Sequence, residues 1–193
     1  MVKEHSPKTI VHFGAGEFIP GLYGPSVRRR EYHVVYDPDK KIIREYVRRA
    51  NALRPPNKPY NVYFLHVPFL HPKSAVKTNS HDNEVHTVHI HNVLSVQDQK
   101  TREALLKEAA RIIHRRGRIF VSELYTARMH RPSELRKLAD KFGLRIKVLV
   151  QHNGKKSREW NDIERKTLTK IMGSQGTVLH AANEAYLAEL RKK

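Results

Sequence analysis

A chain of 193 residues, 39% of them hydrophobic, is the size of one domain with a core of its own. It contains no cysteine, which excludes disulfides, thiolate metal sites and a cysteine nucleophile, and no apolar run approaches the roughly 18 residues of a membrane helix. Its 37 Lys and Arg residues outnumber 19 Asp and Glu, and the net charge of +18 draws polyanions, of which nucleic acid is the commonest in a cell. The segment 101–150 alone holds 13 basic and 5 acidic residues, so folded surface carries much of the excess rather than a tail. Met1-Val2-Lys3-Glu4-His5 lacks the apolar stretch of a secretory signal, so the expected location is cytoplasmic.

The first predicted strand is Thr9–Phe13, β-branched and ending at Gly14. Residues 17–32 hold Pro20, Gly21, Gly24 and Pro25, which interrupt any long helix. A second strand, His33–Tyr36, ends at Asp37, and Lys40–Leu53 reads as a helix with Ile42, Ile43, Tyr46, Val47 and Ala50 on one side. Asn61–Val67 forms the third strand, 72–83 a polar loop, and Glu84–His91 the fourth strand. Asp98–Arg115 carries the clearest helical period, with Leu105, Leu106, Ala109, Ile112 and Ile113 as its buried stripe and Gly117 as its expected cap. Arg118–Leu124 is the fifth strand. Ser133 is the expected N-cap of a helix through Phe142, closed by Gly143, and Leu144–Val150 is the sixth strand. Trp160–Met172 has an amphipathic helical pattern, and Glu184–Leu190 fits a strand or a helix equally.

Strands alternating with helices predict an α/β fold: a mostly parallel central sheet with helices on both faces. Ligands of such sheets sit beyond the carboxyl ends of the strands, so the positions to watch are Gly14–Glu17, Asp37, His66–Pro68, His91–Leu94 and Glu123–Thr126. Gly14-Ala15-Gly16 follows a buried strand directly, where absent side chains let backbone approach a ligand. Asp37, 23 residues after Gly14 at the end of the next strand, suits the hydroxyls of a ribose. A tight turn plus a surface aspartate is the plainer alternative. Together the two features point to an adenosine cofactor, either a dinucleotide or S-adenosylmethionine.

The downstream half favours the second. Asn92-Val93-Leu94, then Arg102–Ile113, then Arg116-Gly117-Arg118-Ile119-Phe120-Val121-Ser122-Glu123, and Ser133–Leu138 through Phe142-Gly143-Leu144, resemble the class I S-adenosylmethionine-dependent methyltransferases in order and spacing. The resemblance covers about residues 9–150, and it makes 1–193 one Rossmann-like domain whose basic segment 151–193 packs on or completes the sheet. It implies S-adenosylmethionine held by Phe13, Gly14, Ala15, Gly16, Glu17, Asp37, Pro38, His66, Val67, His91 and Val93. It places His91 and Asn92 where the acceptor meets the methyl group, His91 as a possible proton acceptor or simply a polar residue at a strand end. Two departures stand inside the glycine turn: His12 where the family carries an acid, and Phe18 where it has a third glycine.

Basic clusters at Arg28-Arg29-Arg30, Arg115-Arg116 with Arg118, and Lys155-Lys156 with Arg158 are candidate phosphate contacts for RNA or a ribonucleoprotein. Tyr23, Tyr32 and Trp160 lie beside such clusters as candidate stacking residues or as ordinary core aromatics. His86, His89 and His91 share a strand, but no further ligand stands at a recognised spacing, so no metal site is assigned. The expected function is an S-adenosylmethionine-dependent methyltransferase acting on RNA or a ribonucleoprotein. The alternatives are a small-molecule acceptor, or a non-catalytic nucleic-acid-binding protein of the same fold.

Overall fold

The computed structural model describes residues 8–14, 31–37, 41, 43–45, 47–48, 62–66, 78, 80–91, 93–124, 132–152 and 185–193. Its strands are β1 (Lys8–Phe13), β2 (Glu31–Asp37), β3 (Val62–His66), β4 (Val85–His91), β5 (Ile113–Leu124), β6 (Leu144–His152) and β7 (Ala185–Lys192). They form one sheet of seven strands in the order β3-β2-β1-β4-β5-β7-β6. The first five strands of that order run parallel, with Val11 beside Val34 and Val88, and Val88 beside Ile119. β7 runs antiparallel between β5 and β6, pairing Val121 with Ala188 and Ile146 with Leu190. This settles the segment that periodicity left open as a strand. The predicted helix over 160–172 lies outside the described residues.

Two helices, α1 (Gln99–Ile112) and α2 (Pro132–Lys141), cover one face of the sheet. Asp98 caps α1 by accepting the Thr101 N–H at 2.7 Å. Leu105, Leu106, Ala109 and Ile112 are buried, as their spacing predicts, and join Val11, Phe13, Val88, Ile90, Ile119 and Val121 in one apolar cluster. Leu135 and Ala139 of α2 complete it beside Leu144 and Leu190. Each fully buried leucine or isoleucine here contributes about 1.5–3 kcal/mol of transfer free energy. Lys41, residues 43–45, Val47 and Arg48 are helical, within the segment whose periodicity predicts a helix. Among the described residues no helix is long and apolar enough to cross a membrane.

The boundary between α1 and β5 differs from expectation. The helix ends at Ile112, and Ile113 turns extended at φ −65°, ψ 133°. Ile113 already pairs with Val85, whereas the next pair is Thr87 with Arg118. β4 thus advances two residues while β5 advances five, and the surplus forms a bulge. Gly117 is therefore no helix cap. It lies buried inside the strand, where a Cβ would stand 2.7 Å from Ile113 Cδ1 and 2.9 Å from the His86 carbonyl oxygen. Glycine is required there by close approach, not by a helix stop. Pro132 rather than Ser133 opens α2, a position where its missing N–H has no helical partner to lose. Gly143 closes the turn after α2 at φ +68°, as expected.

Candidate functional site

Parallel pairing brings the ends of β1, β2, β3 and β4 to one edge. Gly14, at the end of β1, has φ +84°, a conformation that favours glycine. Its N–H donates to the Tyr36 carbonyl at 2.9 Å, which ties the turn after β1 to the last residues of β2. Asp37 follows at once and is buried, and it pairs in register with His66 at the end of β3. His91 ends β4 beside Ser122 of β5. Gly14, Asp37, His66 and His91 are thus brought to one edge, as the strand-end rule predicts. Phe13 is different: its ring is fully buried in the apolar cluster, 5.8 Å from Tyr36, so only its backbone borders the turn. Ala15, Gly16, Glu17, Pro38, Val67 and Asn92 lie outside the described residues.

The segment after β4 is held more firmly than sequence reasoning foresees. Leu94–Val96 forms a single 3-10 turn, and the buried Glu123 of β5 reaches it from the neighbouring strand. Glu123 Oε1 accepts the N–H groups of Val93 at 3.1 Å and Leu94 at 2.9 Å, and Oε2 accepts that of Ser95 at 3.1 Å. From the other side, Arg102 of α1 donates its Nε–H to the Leu94 carbonyl at 2.6 Å. The backbone is gripped through its donors by a carboxylate and through its acceptor by a guanidinium. Burial pushes the Glu123 carboxyl up to about 7, against the pull of Ser95, Leu94 and Val93 on its charged form. The signal for Glu123 was present: Ile119, Val121 and Glu123 alternate onto the apolar face, and a charge in that series needs a partner.

The other face of the sheet carries a row of histidines among buried apolar residues such as Val35 and Phe120. His12 Nε2 and His33 Nδ1 share a hydrogen bond of 3.1 Å, one ring donating and one accepting. The His12 ring also stacks on His89 with centroids 4.9 Å apart, and His89 abuts Phe120 at 5.3 Å. His12, which stands where the resembled family carries an acid, is thus the middle of a histidine row crossing β2, β1 and β4. His86 belongs to a separate contact, stacked on His114. Among the described residues no group of three His, Asp or Glu side chains is placed to hold a metal ion.

Arg115 and Arg116 sit exposed on the β5 bulge, at the amino end of the parallel strands and away from Gly14 and Asp37. Arg28, Arg29, Arg30, Lys155, Lys156 and Arg158, with Tyr23 and Trp160, lie outside the described residues. Tyr32 stands partly exposed on β2.

No family model and no curated protein matches the chain by sequence. Solved structures do match it. A TehB-like S-adenosylmethionine-dependent methyltransferase from Corynebacterium glutamicum aligns over 98% of this chain and 82% of its own, with a TM-score of 0.61 and 13% identity. That likeness extends over nearly the whole chain and shows its fold. This is the class I methyltransferase fold. Magnesium protoporphyrin IX methyltransferase from Synechocystis, with bound S-adenosylmethionine, shares the fold over 98% of this chain and 72% of its own (TM-score 0.62, 14% identity). So does the [4+2]-cyclase SpnF, over 98% and 76% (TM-score 0.64, 13% identity). A class I methyltransferase fold therefore accompanies more than one named activity, and function has to be argued from the site.

Proposed function

We propose that the chain is an S-adenosylmethionine-dependent methyltransferase whose acceptor is RNA or a ribonucleoprotein. The observation that carries the reading is the hydrogen bond from the Gly14 N–H to the Tyr36 carbonyl, which sets the glycine ending β1 beside the residue that precedes the buried Asp37. The residues present suit the cofactor: the Asp37 carboxylate can accept from ribose hydroxyls, Gly14 has no side chain to keep a ligand away, and Ala15 and Gly16 are assigned beside it from the sequence. Phe13 borders the turn through its backbone, and Glu17, Pro38, His66, Val67, His91 and Val93 are assigned to the same pocket by their positions after strands. Neighbours of this fold with bound S-adenosylmethionine, acting on a porphyrin and on geranyl diphosphate, support the cofactor and leave the acceptor open.

The cofactor supplies an electrophilic methyl group, and the chain's work is positioning, which alone accounts for several kcal/mol of a transfer barrier. Glu123 and Arg102 fix the turn Val93–Ser95 that borders the acceptor's approach. His91 and Asn92 are assigned to the acceptor, His91 as the group that takes its proton. The net charge of +18 supports RNA as the acceptor class. A Haloferax volcanii protein of this fold is held in complex with the Trm112 methyltransferase activator, which supports a macromolecular partner.

A second reading, a nucleic-acid-binding protein without transfer activity, is favoured by His12 in place of the acid. Calorimetric titration with S-adenosylmethionine separates the two. The transferase reading expects saturable binding, and expects Asp37→Ala to weaken it by about 1.5–3 kcal/mol through lost charge-assisted hydrogen bonds. Absence of heat at millimolar cofactor would sink it. Transfer of labelled methyl to RNA, rather than to the small-molecule fraction of the same extract, identifies the acceptor class.

A further inference from the structure

We propose that the end of the sheet opposite Gly14 and Asp37 is a docking surface for the phosphodiester backbone of RNA, built on arginines of β5, β7 and β6. It rests on the reading above for the class of polyanion, and adds a surface separate from the transfer site. The length of β4 between the two ends, seven residues, corresponds to about 20 Å.

The sheet itself assembles the row. β5 and β7 pair as far as Ile119 with Leu190, and Arg118 and Arg191 are the next residues of the two strands beyond that pair. β6 and β7 pair Arg145 with Arg191. Three arginines therefore stand abreast on one face, on strands about 4.8 Å apart. Like charges set directly opposite one another destabilise an antiparallel pair, so the row is unfavourable unless an anion lies across it. Arg191 is partly offset by Glu189 at 2.7 Å. Arg118 and Arg145 are exposed and form no ion pair among the described residues.

The bulge extends the row. Gly117 packs against Ile113 and the His86 carbonyl, the Arg116 N–H donates to His114 Nδ1 at 3.2 Å, and His114 stacks on His86. The loop is thereby fastened at its base while Arg115 and Arg116 project outward, both exposed. His86 beside the bulge is held below its ordinary value by burial first, and then by the charges of His114 and Lys8.

The chemistry favours nucleic acid over a lipid surface. A guanidinium presents a planar fork that matches phosphate oxygens two at a time. Binding at a membrane surface adds apolar side chains to the basic ones. The large apolar side chains exposed among the described residues are Tyr32, Val47 and Val96, none of them on β5, β6 or β7.

The test is fluorescence anisotropy with a labelled single-stranded RNA of about 20 nucleotides, titrated over salt, since each lost phosphate contact lowers the slope of log K against log salt by about 0.7. The triple variant Arg115→Gln/Arg116→Gln/Arg118→Gln is expected to bind at least about ten-fold more weakly, with a slope shallower by about 2. Arg145→Gln alone, a single exposed change on another strand, should lose about 0.7 of slope. The control Lys107→Gln/Arg136→Gln removes exposed charge from α1 and α2 and should keep the wild-type slope. A triple variant with the slope and affinity of the control overturns the proposal, as does tighter binding of duplex DNA of equal length. Titration of the same variants with S-adenosylmethionine keeps the two readings apart. Lost RNA affinity with unchanged cofactor affinity supports the dock, and lost RNA affinity in the triple variant of a protein that never binds cofactor supports the dock while sinking the transferase.

Discussion

Glu108 and Glu123 are both buried carboxylates, at opposite ends of the sheet, and they are compensated in different currencies. Glu108 on α1 accepts the Thr78 N–H and hydroxyl at 2.6 and 2.8 Å and pairs with Arg111, which in turn binds Asp82. Burial alone would raise its carboxyl, but Arg111 and Thr78 outweigh burial and hold it below the ordinary range. Arg111 is raised in turn by its bond to Glu108. Among the described residues Glu123 meets no cation, only the backbone donors of Val93, Leu94 and Ser95 and the hydroxyl of Ser95. The amino end is fastened by charge against charge and keeps its state across ordinary pH. The carboxyl end is fastened by a charge against dipoles, and its state changes near neutrality.

Glu123→Leu breaks that contrast hardest. It leaves two buried N–H groups and one part-buried one unpaired, and an expected loss of about 3 kcal/mol lowers the midpoint of thermal unfolding by roughly 6–12 °C. The wild-type pH profile sharpens it. Because the Glu123 carboxyl is raised from 4.5 to about 7, the folded state holds its proton more tightly than the unfolded chain. Its contribution therefore favours folding below about pH 4.5 and is lost as pH rises toward 7, by roughly 3 kcal/mol over that interval. Glu108 has the opposite sign: its contribution is full above its unfolded value and is lost as pH falls through its depressed one. Comparing denaturant unfolding of wild type and Glu123→Gln between pH 5 and 8, about the neutral range, tests this, and profiles of identical shape would refute the assignment.

Glu108→Gln is expected to cost less, about 1–2 kcal/mol, because Arg111 is part-exposed and keeps Asp82. Chemical denaturation measures it, and the loss should be the same with and without S-adenosylmethionine. Gly14→Ala is the mildest for stability, about 1 kcal/mol of backbone strain at φ +84°. Its cofactor affinity, read by calorimetry, should nonetheless fall, because the strain is relieved by shifting the turn. Unchanged affinity would mean that the turn is only a strand connection.

Much of this frame was legible in the sequence because it follows from period and punctuation. The strands announce themselves as short β-branched runs, α1 by its leucine and isoleucine stripe, and Gly14 with Asp37 by their places after strands. What period cannot show is how two elements share a boundary. The stripe of α1 includes Ile113, yet that residue leaves the helix to pair with Val85, and Gly117 then serves a bulge. β7 was ambiguous for a related reason. Tyr186, Leu187, Ala188 and Leu190 are buried together with Glu189, so both faces of the strand are covered and no alternation survives to mark it. Alternation shows that Glu123 needs a partner but not which one, because its partners are backbone N–H groups, which leave no trace in residue identity.

The place of β7 sets an order on the making of the protein. Among the described strands β6 has its sheet partner in β7 alone, and β5 meets β6 only through it. On a ribosome, β1 through β5 can pair as they emerge, but β6 must wait beside an open edge of β5 until a strand made later slips between them. Through that interval the chain carries unpaired backbone on β5 and β6 together, the condition under which sheet edges recruit foreign strands. Synthesis halted before Ala185 would strand the molecule there, with its methyltransferase-like half assembled and its edge unsealed.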